Sequence, residues 1–122
     1  MSDKIAAEMI GRLLAARTHA HILHLKTTSF EEHGAIGTFY EEISPLADTL
    51  AEVYQGMRGV RLDIPFETIK PSTTSTQLLK ALCNWIDANR DEVGEPTDTT
   101  LQNTIDEIQA LIYQTMYRLT LK

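Results

Sequence analysis

Apolar residues recur every three or four positions along most of the chain, which is the spacing of amphipathic helices. The pattern predicts four helices, over residues of about 3–26, 30–55, 76–90 and 97–121. No segment has the pattern of a convincing core strand. The last helix carries a heptad seam, because its apolar positions alternate in steps of four and three: Leu101, Ile105, Ile108, Ile112, Thr115 and Leu119.

Residues with strong end preferences lie at the boundaries of the first two helices. Ser2 or Asp3 can cap the first helix, and Ser29 can cap the second. Gly56 is a natural stop for the second helix. Pro45 lies inside that helix and lacks a backbone donor, so we expect a kink just before it.

The connection between the second and third predicted helices is long. Residues 56–75 contain two glycines and two prolines. Val60, Leu62, Ile64 and Phe66 alternate with polar residues or proline, so we expect part of it to run extended against the helices. The sequence therefore predicts an all-α, single-domain four-helix bundle over residues 1–122, with a long crossover between helices 2 and 3.

The composition of the chain argues against several classes of protein. The 122 residues suffice for one hydrophobic core. A net charge of −6 argues against direct nucleic-acid binding, and no apolar run approaches the roughly 20 residues of a membrane span. The N-terminus lacks the apolar stretch of a signal peptide, and Cys83 is the single cysteine. We therefore expect a cytoplasmic protein without disulfides.

Acidic residues concentrate in the second helix. Residues 27–57 contain no Lys or Arg. Such a run is usually a solvated helix face, and the alternative is a cation site. The segment also contains His33 and six carboxylates: Glu31, Glu32, Glu41, Glu42, Asp48 and Glu52.

Three histidines lie near the end of the first helix. On a helical projection His24 falls near the centre of the apolar arc, and His21 lies close to one edge. His19 projects almost opposite, so we expect it to be exposed. His21 and His24 are either satisfied core residues or, with His33, metal ligands, and both interpretations stay open at this point.

The second helix can complete a metal site only with a second chain. Asp48 and Glu52 share a face because they are four residues apart. His33 lies 15 residues before Asp48, roughly 22 Å along a helix. In an antiparallel, isologous dimer, however, His33 and either His21 or His24 of one copy would meet Asp48 and Glu52 of the other. Such mixed ligands suit iron, manganese or zinc.

Residues 17–56 resemble the first two helices of the Dps branch of the ferritin-like superfamily, and residues 97–121 loosely resemble its last helix. In that family the ferroxidase site is formed by five residues. They are a His, a second His twelve residues later, an intermediate Asp four residues after that, and then a further Asp and a Glu. His21, His33, Asp48 and Glu52 match this spacing, but Gly37 replaces the intermediate Asp. The resemblance implies a ferritin-like bundle and a possible ferroxidase-type oxidoreductase that binds or oxidises iron at a dimer interface.

The same region also resembles a group of small uncharacterised tailed-phage proteins. Their pattern, HWQT-x-S-x-x-EH followed by an Asp, a Glu and YQG, is similar to HLKTTSFEEH and LADTLAEVYQG here. In that alignment His24, not His21, is the first ligand. This resemblance implies the alternative function of a non-enzymatic helical bundle that binds a host or virion protein without metal. In either case we expect a homodimer or higher homo-oligomer, but no large shell.

Overall fold

Four α-helices make up most of the structure, a computed structural model that describes residues 2–68 and 74–121. They are α1 (Asp3–Lys26), α2 (Phe30–Arg58), α3 (Ser75–Val93) and α4 (Thr99–Arg118). No strand occurs in these two described ranges. Each helix begins and ends within three residues of its predicted bounds, and the prediction of an all-α, four-helix protein is confirmed. None of the helices in the described ranges is long and apolar enough for a membrane span.

Each helix packs against two others. α1 and α4 each contact both α2 and α3. The backbone N–H of Ser2 donates to the carbonyl of Glu92, so α1 begins where α3 ends. The hydroxyl of Ser75 donates to Glu32, so α2 and α3 begin at the same end of the bundle. Because α2 and α3 therefore run in the same direction, the chain between them must return along the length of the bundle.

A single apolar core runs between the helices. Phe39, Leu50 and Ile105 have no exposed surface, and burying a side chain of this size contributes about 1.5–3 kcal/mol. The core draws on the predicted apolar positions of all four helices. The heptad seam of α4 supplies four of its residues, Leu101, Ile105, Ile108 and Ile112, and Thr115 of the same seam is buried as well.

The predicted N-terminal caps are confirmed. The hydroxyl of Ser2 accepts a hydrogen bond from the N–H of Ile5 at 3.1 Å. The hydroxyl of Ser29 accepts one from the N–H of Glu32 at 3.2 Å. Each bond satisfies a backbone donor that has no partner inside its helix.

The predicted stop of α2 at Gly56 is wrong. The helix continues to Arg58 and ends at Gly59, whose φ of 65° and ψ of 36° lie in the left-handed region that glycine adopts freely. Arg58 holds the additional turn, because its guanidinium lies 5.2 Å from the ring centroid of Tyr54 and pairs with Asp98 at 3.7 Å.

The described apolar residues of the crossover differ in how they pack on the bundle. Val60 and Leu62 are partly buried against the core, as the alternating pattern predicts. Ile64 and Phe66, in contrast, are exposed, and the side chain of Phe66 is fully so. Residues 69–73 of the predicted connection lie outside the described residues.

A polar network joins α3 to α4. The guanidinium of Arg90 donates to the side-chain oxygens of Gln102 at 2.7 Å, Gln109 at 2.5 Å and Asp106 at 2.6 Å. Gln109 in turn donates to Asp87 at 2.8 Å. Gln102 and Gln109 are buried, and an unpaired buried amide costs about 1–3 kcal/mol. The network therefore favours one register of the two helices.

The expected exposure of His19 is wrong, because only 4% of the residue is exposed. His19 lies on the side of α1 that faces α3. Arg12, on the same side of α1, places its guanidinium over the ring of Trp85 on α3. The buried arc of α1 is therefore wider than one partner helix requires. Burial lowers the pKa of His19, because desolvation disfavours the charged imidazolium.

The burial of His19 should make the protein less stable as the pH is lowered. The unfolded chain protonates this histidine near its ordinary value of about 6.5, whereas the folded chain does so only at lower pH. The contribution is complete above about pH 6.5 and is lost as the pH falls through the window between the two values. Urea unfolding of the wild type and of His19→Gln across this window should show a smaller pH dependence in the variant. An equal dependence would contradict the assignment.

Candidate functional site: a histidine cluster at the α1–α2 hairpin

Three histidines converge where α1 turns into α2. His21 and His24 lie in the last two turns of α1, and His33 lies in the first turn of α2. Only three residues separate the helices, so the two helix ends lie side by side. The rings of His24 and His33 stack with their centroids 3.7 Å apart and their planes 18° apart.

Two reciprocal hydrogen bonds hold this stack. Nδ1 of His24 lies 2.7 Å from the carbonyl oxygen of His33, and Nδ1 of His33 lies 2.9 Å from the carbonyl oxygen of His24. Because a carbonyl can only accept, each ring must donate its Nδ1–H. The His24 carbonyl belongs to the last turn of α1, where carbonyls lack helical donors. His33 therefore acts as a side-chain cap for the preceding helix.

The stack depends on the absence of a side chain at Gly37. This glycine is buried in α2, and a Cβ built there would lie 2.9 Å from Cε1 and 3.0 Å from Nδ1 of His24. Any other residue would push the imidazole out of its place. In the ferritin-like alignment, Gly37 is only the position of a missing ligand. A glycine inside an otherwise regular helix was the signal of a close approach.

Tyr40 extends the cluster along α2. Its ring stacks on His21, with centroids 4.2 Å apart and planes 7° apart. The same ring meets His24 at a tilt of 59°, with centroids 5.2 Å apart. Both are favourable aromatic geometries. The histidine cluster, defined as His21, His24, His33 and Tyr40, is therefore a set of four rings that fastens α1 to α2.

The cluster does not form a chelating site within one chain. With Nδ1–H donated, a neutral imidazole offers a metal only the Nε2 lone pair, which lies in the plane of the ring. The rings of His24 and His33 are nearly parallel, so their lone pairs do not converge on an ion at about 2.0–2.1 Å. No group of three or more His, Cys, Asp or Glu in the described ranges could hold a metal ion.

Asp48 and Glu52 lie away from the histidine cluster. Both are exposed on the outer surface of α2, and Asp48 is roughly 22 Å along the helix from His33. One chain thus brings His21, His24 and His33 together, but Asp48 and Glu52 of the same chain lie far from them. A site that combines His33 and either His21 or His24 of one chain with Asp48 and Glu52 of a second chain stays a prediction.

The outer surface of α2 carries an acidic ridge, which we define as Glu41, Glu42, Asp48 and Glu52. All four are exposed. At about 100° per residue, Glu41, Asp48 and Glu52 fall within an arc of about 40°. Across residues 2–68 and 74–121, none of the four pairs with a Lys or Arg side chain. The ridge is therefore a strip of uncompensated negative charge.

A matched pair of glycine substitutions should test the packing of the cluster. Gly34→Ala should raise the free energy of unfolding by about 0.5–1 kcal/mol, because alanine favours a helix and nothing lies within 4 Å of the added methyl. Gly37→Ala should be about 1–2 kcal/mol less stable than Gly34→Ala, because its methyl displaces His24 and its hydrogen bond. Urea unfolding measures both, and equal stabilities would contradict the close approach.

Comparison with known proteins identifies relatives of this chain. The family model described as "Family of unknown function (DUF5856)" matches residues 24–119, a range that begins at His24 and includes the whole of α2, α3 and α4. The chain is also 29% identical over 119 residues to the uncharacterized 14.6 kDa protein in the mobD-ri intergenic region of Enterobacteria phage T4. That alignment covers 96% of this chain and 89% of the phage protein. No solved structure shows a significant match. The chain belongs to the DUF5856 family.

Proposed function

We propose that the protein is a non-enzymatic, phage-type helical bundle that binds a host or virion protein without metal. The reciprocal bonding of His24 and His33 carries this proposal. Both Nδ1–H groups are committed to the backbone of the hairpin, and the stacked rings do not direct their remaining Nε2 lone pairs at one ion. The histidine cluster thus has a structural role within one chain. We therefore place the proposed binding of a partner on the outer surface of the bundle.

The acidic ridge is the surface on which we place the partner. Its carboxylates repel one another in the free protein, and a basic partner would relieve that repulsion. Long-range attraction of this kind raises association rates and weakens as salt is added. The partner class is therefore a protein with an exposed basic surface.

The similarity to a phage protein supports the proposal of a host or virion partner. It is a protein of similar length, aligned over nearly the whole of both chains. A small phage protein meets proteins of the host and of the virion, and these are the partner sources that we propose.

Carbodiimide coupling should locate the partner on the ridge. This reagent joins carboxylates directly to lysine amines in contact with them. In host lysate at low salt, coupled peptides should contain Glu41, Glu42, Asp48 or Glu52, and mass spectrometry should identify the partner. The triple variant Glu41→Lys, Asp48→Lys, Glu52→Lys should lose capture at least about tenfold, because like charges across an interface cost several kcal/mol.

A second triple variant provides the control. Asp91, Glu95 and Glu107 are exposed acids on and between α3 and α4. Their replacement by lysine changes the net charge equally but leaves α2 intact, so capture should be retained. If both triple variants lose the partner to the same extent, net charge rather than the ridge explains binding.

A ferritin-like, metal-binding function is the second candidate. The observation in its favour is that Nδ1 donation leaves Nε2 of both His24 and His33 as potential ligands. It requires a second chain to supply Asp48 and Glu52, and the His24–His33 stack to open. Under this candidate the protein would bind iron, manganese or zinc at the dimer interface, and it could oxidise iron.

Metal binding and mass in solution should be measured together. The metal candidate expects Fe(II), Mn(II) or Zn(II) to bind in equilibrium dialysis only to dimers, and Asp48→Ala and His33→Ala each to abolish it. Glu107→Ala serves as the carboxylate control and should bind as the wild type does. Absence of binding in excess metal at neutral pH, or binding that Asp48→Ala leaves unchanged, removes this candidate.

A further inference from the structure

An apolar surface lies along the outside of α1 and the adjoining crossover. A groove of about 530 Å³ separates Leu14 and Thr18 of α1 from residues 64–68 of the crossover. Beyond Thr18, the same outward side of α1 continues through Ile22 and Leu25, four and seven residues later. We call the groove together with Ile22, Leu25 and Phe66 the Phe66 surface.

Gly11 fixes the crossover in this position. A Cβ built on Gly11 would lie 2.7 Å from the carbonyl oxygen of Pro65 and 3.2 Å from its Cγ. The absence of a side chain lets the crossover backbone lie directly on α1. Phe66, the next residue, is held at the rim of the groove with its side chain 100% exposed.

The Phe66 surface exposes a substantial apolar area. Leu25 is 71% and Ile22 54% exposed, and Leu14 and Ile64 are each 37% exposed. With Phe66, these side chains present on the order of 500 Å² to water, since one aromatic side chain alone carries about 150–250 Å². This area is comparable to the largest apolar patch on a typical monomer, about 300–600 Å², which is often functional. A standard interface buries about 800 Å² per partner, so roughly 500 Å² of exposed apolar side chain would account for more than half of one partner's share.

The surface contains both a protruding ring and a cavity that can receive it. The groove falls within the range of pockets that bury whole small molecules, about 300–1,000 Å³, and so has room for one phenyl ring. A two-fold axis brings the same surface of two copies together. Each Phe66 can then enter the groove of the other copy, so one contact is made twice.

We propose that the Phe66 surface binds a second copy of this chain in an isologous dimer. Charge is consistent with this pairing. Glu67 lies beside the protruding ring, and Lys26 follows Leu25 at the far end of the strip. In a two-fold, antiparallel arrangement the acidic end of one copy faces the basic end of the other. The acidic ridge on α2 is on another helix, so this dimer is independent of the proposed function.

The mass of the full chain in solution tests the dimer. Sedimentation velocity over a concentration series should show a reversible monomer–dimer equilibrium. Phe66→Ser should raise the dissociation constant by roughly 30-fold or more, a typical loss for a truncated aromatic anchor. Phe30→Ser is the matched control, because Phe30 is 85% exposed but lies at the start of α2. It should dimerise as the wild type does.

A mixing experiment distinguishes reciprocal insertion from other dimers. Thr18→Lys places a charge in the groove but leaves Phe66 in place, so it should be monomeric by itself. When it is mixed with Phe66→Ser, one intact ring meets one intact groove, and association should partly return. Circular dichroism verifies that both variants fold.

Three results would overturn the proposal. A wild-type protein that stays monomeric over the whole series has no such dimer. A dimer that Phe66→Ser leaves unchanged uses another face of the molecule. Two variants that stay monomeric after mixing, although each folds, exclude the exchange of rings and grooves.

Discussion

The close approach of α1 and α2 at Gly37 is the constraint on which the hairpin depends. Because this position has no Cβ, the His24 imidazole lies within about 3 Å of where one would be. There it bonds to the His33 carbonyl, and His33 returns a bond to the last turn of α1. Tyr40 and His21 stack on the same assembly. A larger residue at position 37 would displace the His24 ring, which bonds to the His33 carbonyl, stacks on His33 and contacts Tyr40.

The same constraint changes the interpretation of the histidines. In the sequence alone, neighbouring histidines followed by a helix with many carboxylates suggest a metal site. In three dimensions the histidines pack against each other, while Asp48 and Glu52 lie in solvent on another part of α2. Within one chain the imidazoles stabilise the hairpin, and the carboxylates form a charged outer surface. Two different surfaces then stand out for binding: the acidic ridge on α2 and the apolar Phe66 surface on α1 and the crossover.

Much of the fold could be predicted because helix formation is largely local. Apolar spacing identified all four helices, and Ser2 and Ser29 cap the helices that they precede. The errors arose where distant contacts decide. Gly56 and Gly59 are equally able to end a helix, but the contacts of Arg58 with Tyr54 and Asp98 favour one more turn. His19 is buried because α1 packs against two helices, and a projection of one helix does not show how many neighbours it has.

The sequence by itself determined the helices, their caps, the concentration of acid on α2 and the histidines near the hairpin. These follow from spacing and residue type within single helices. Only the tertiary structure decided that the rings of His24 and His33 stack, that Gly37 makes room for them, and that Phe66 stands beside an open groove. Each of these depends on where side chains and backbones of different elements meet. Local preferences fix the period and ends of a helix, but its rotation and depth against its neighbours depend on the packing of the whole bundle.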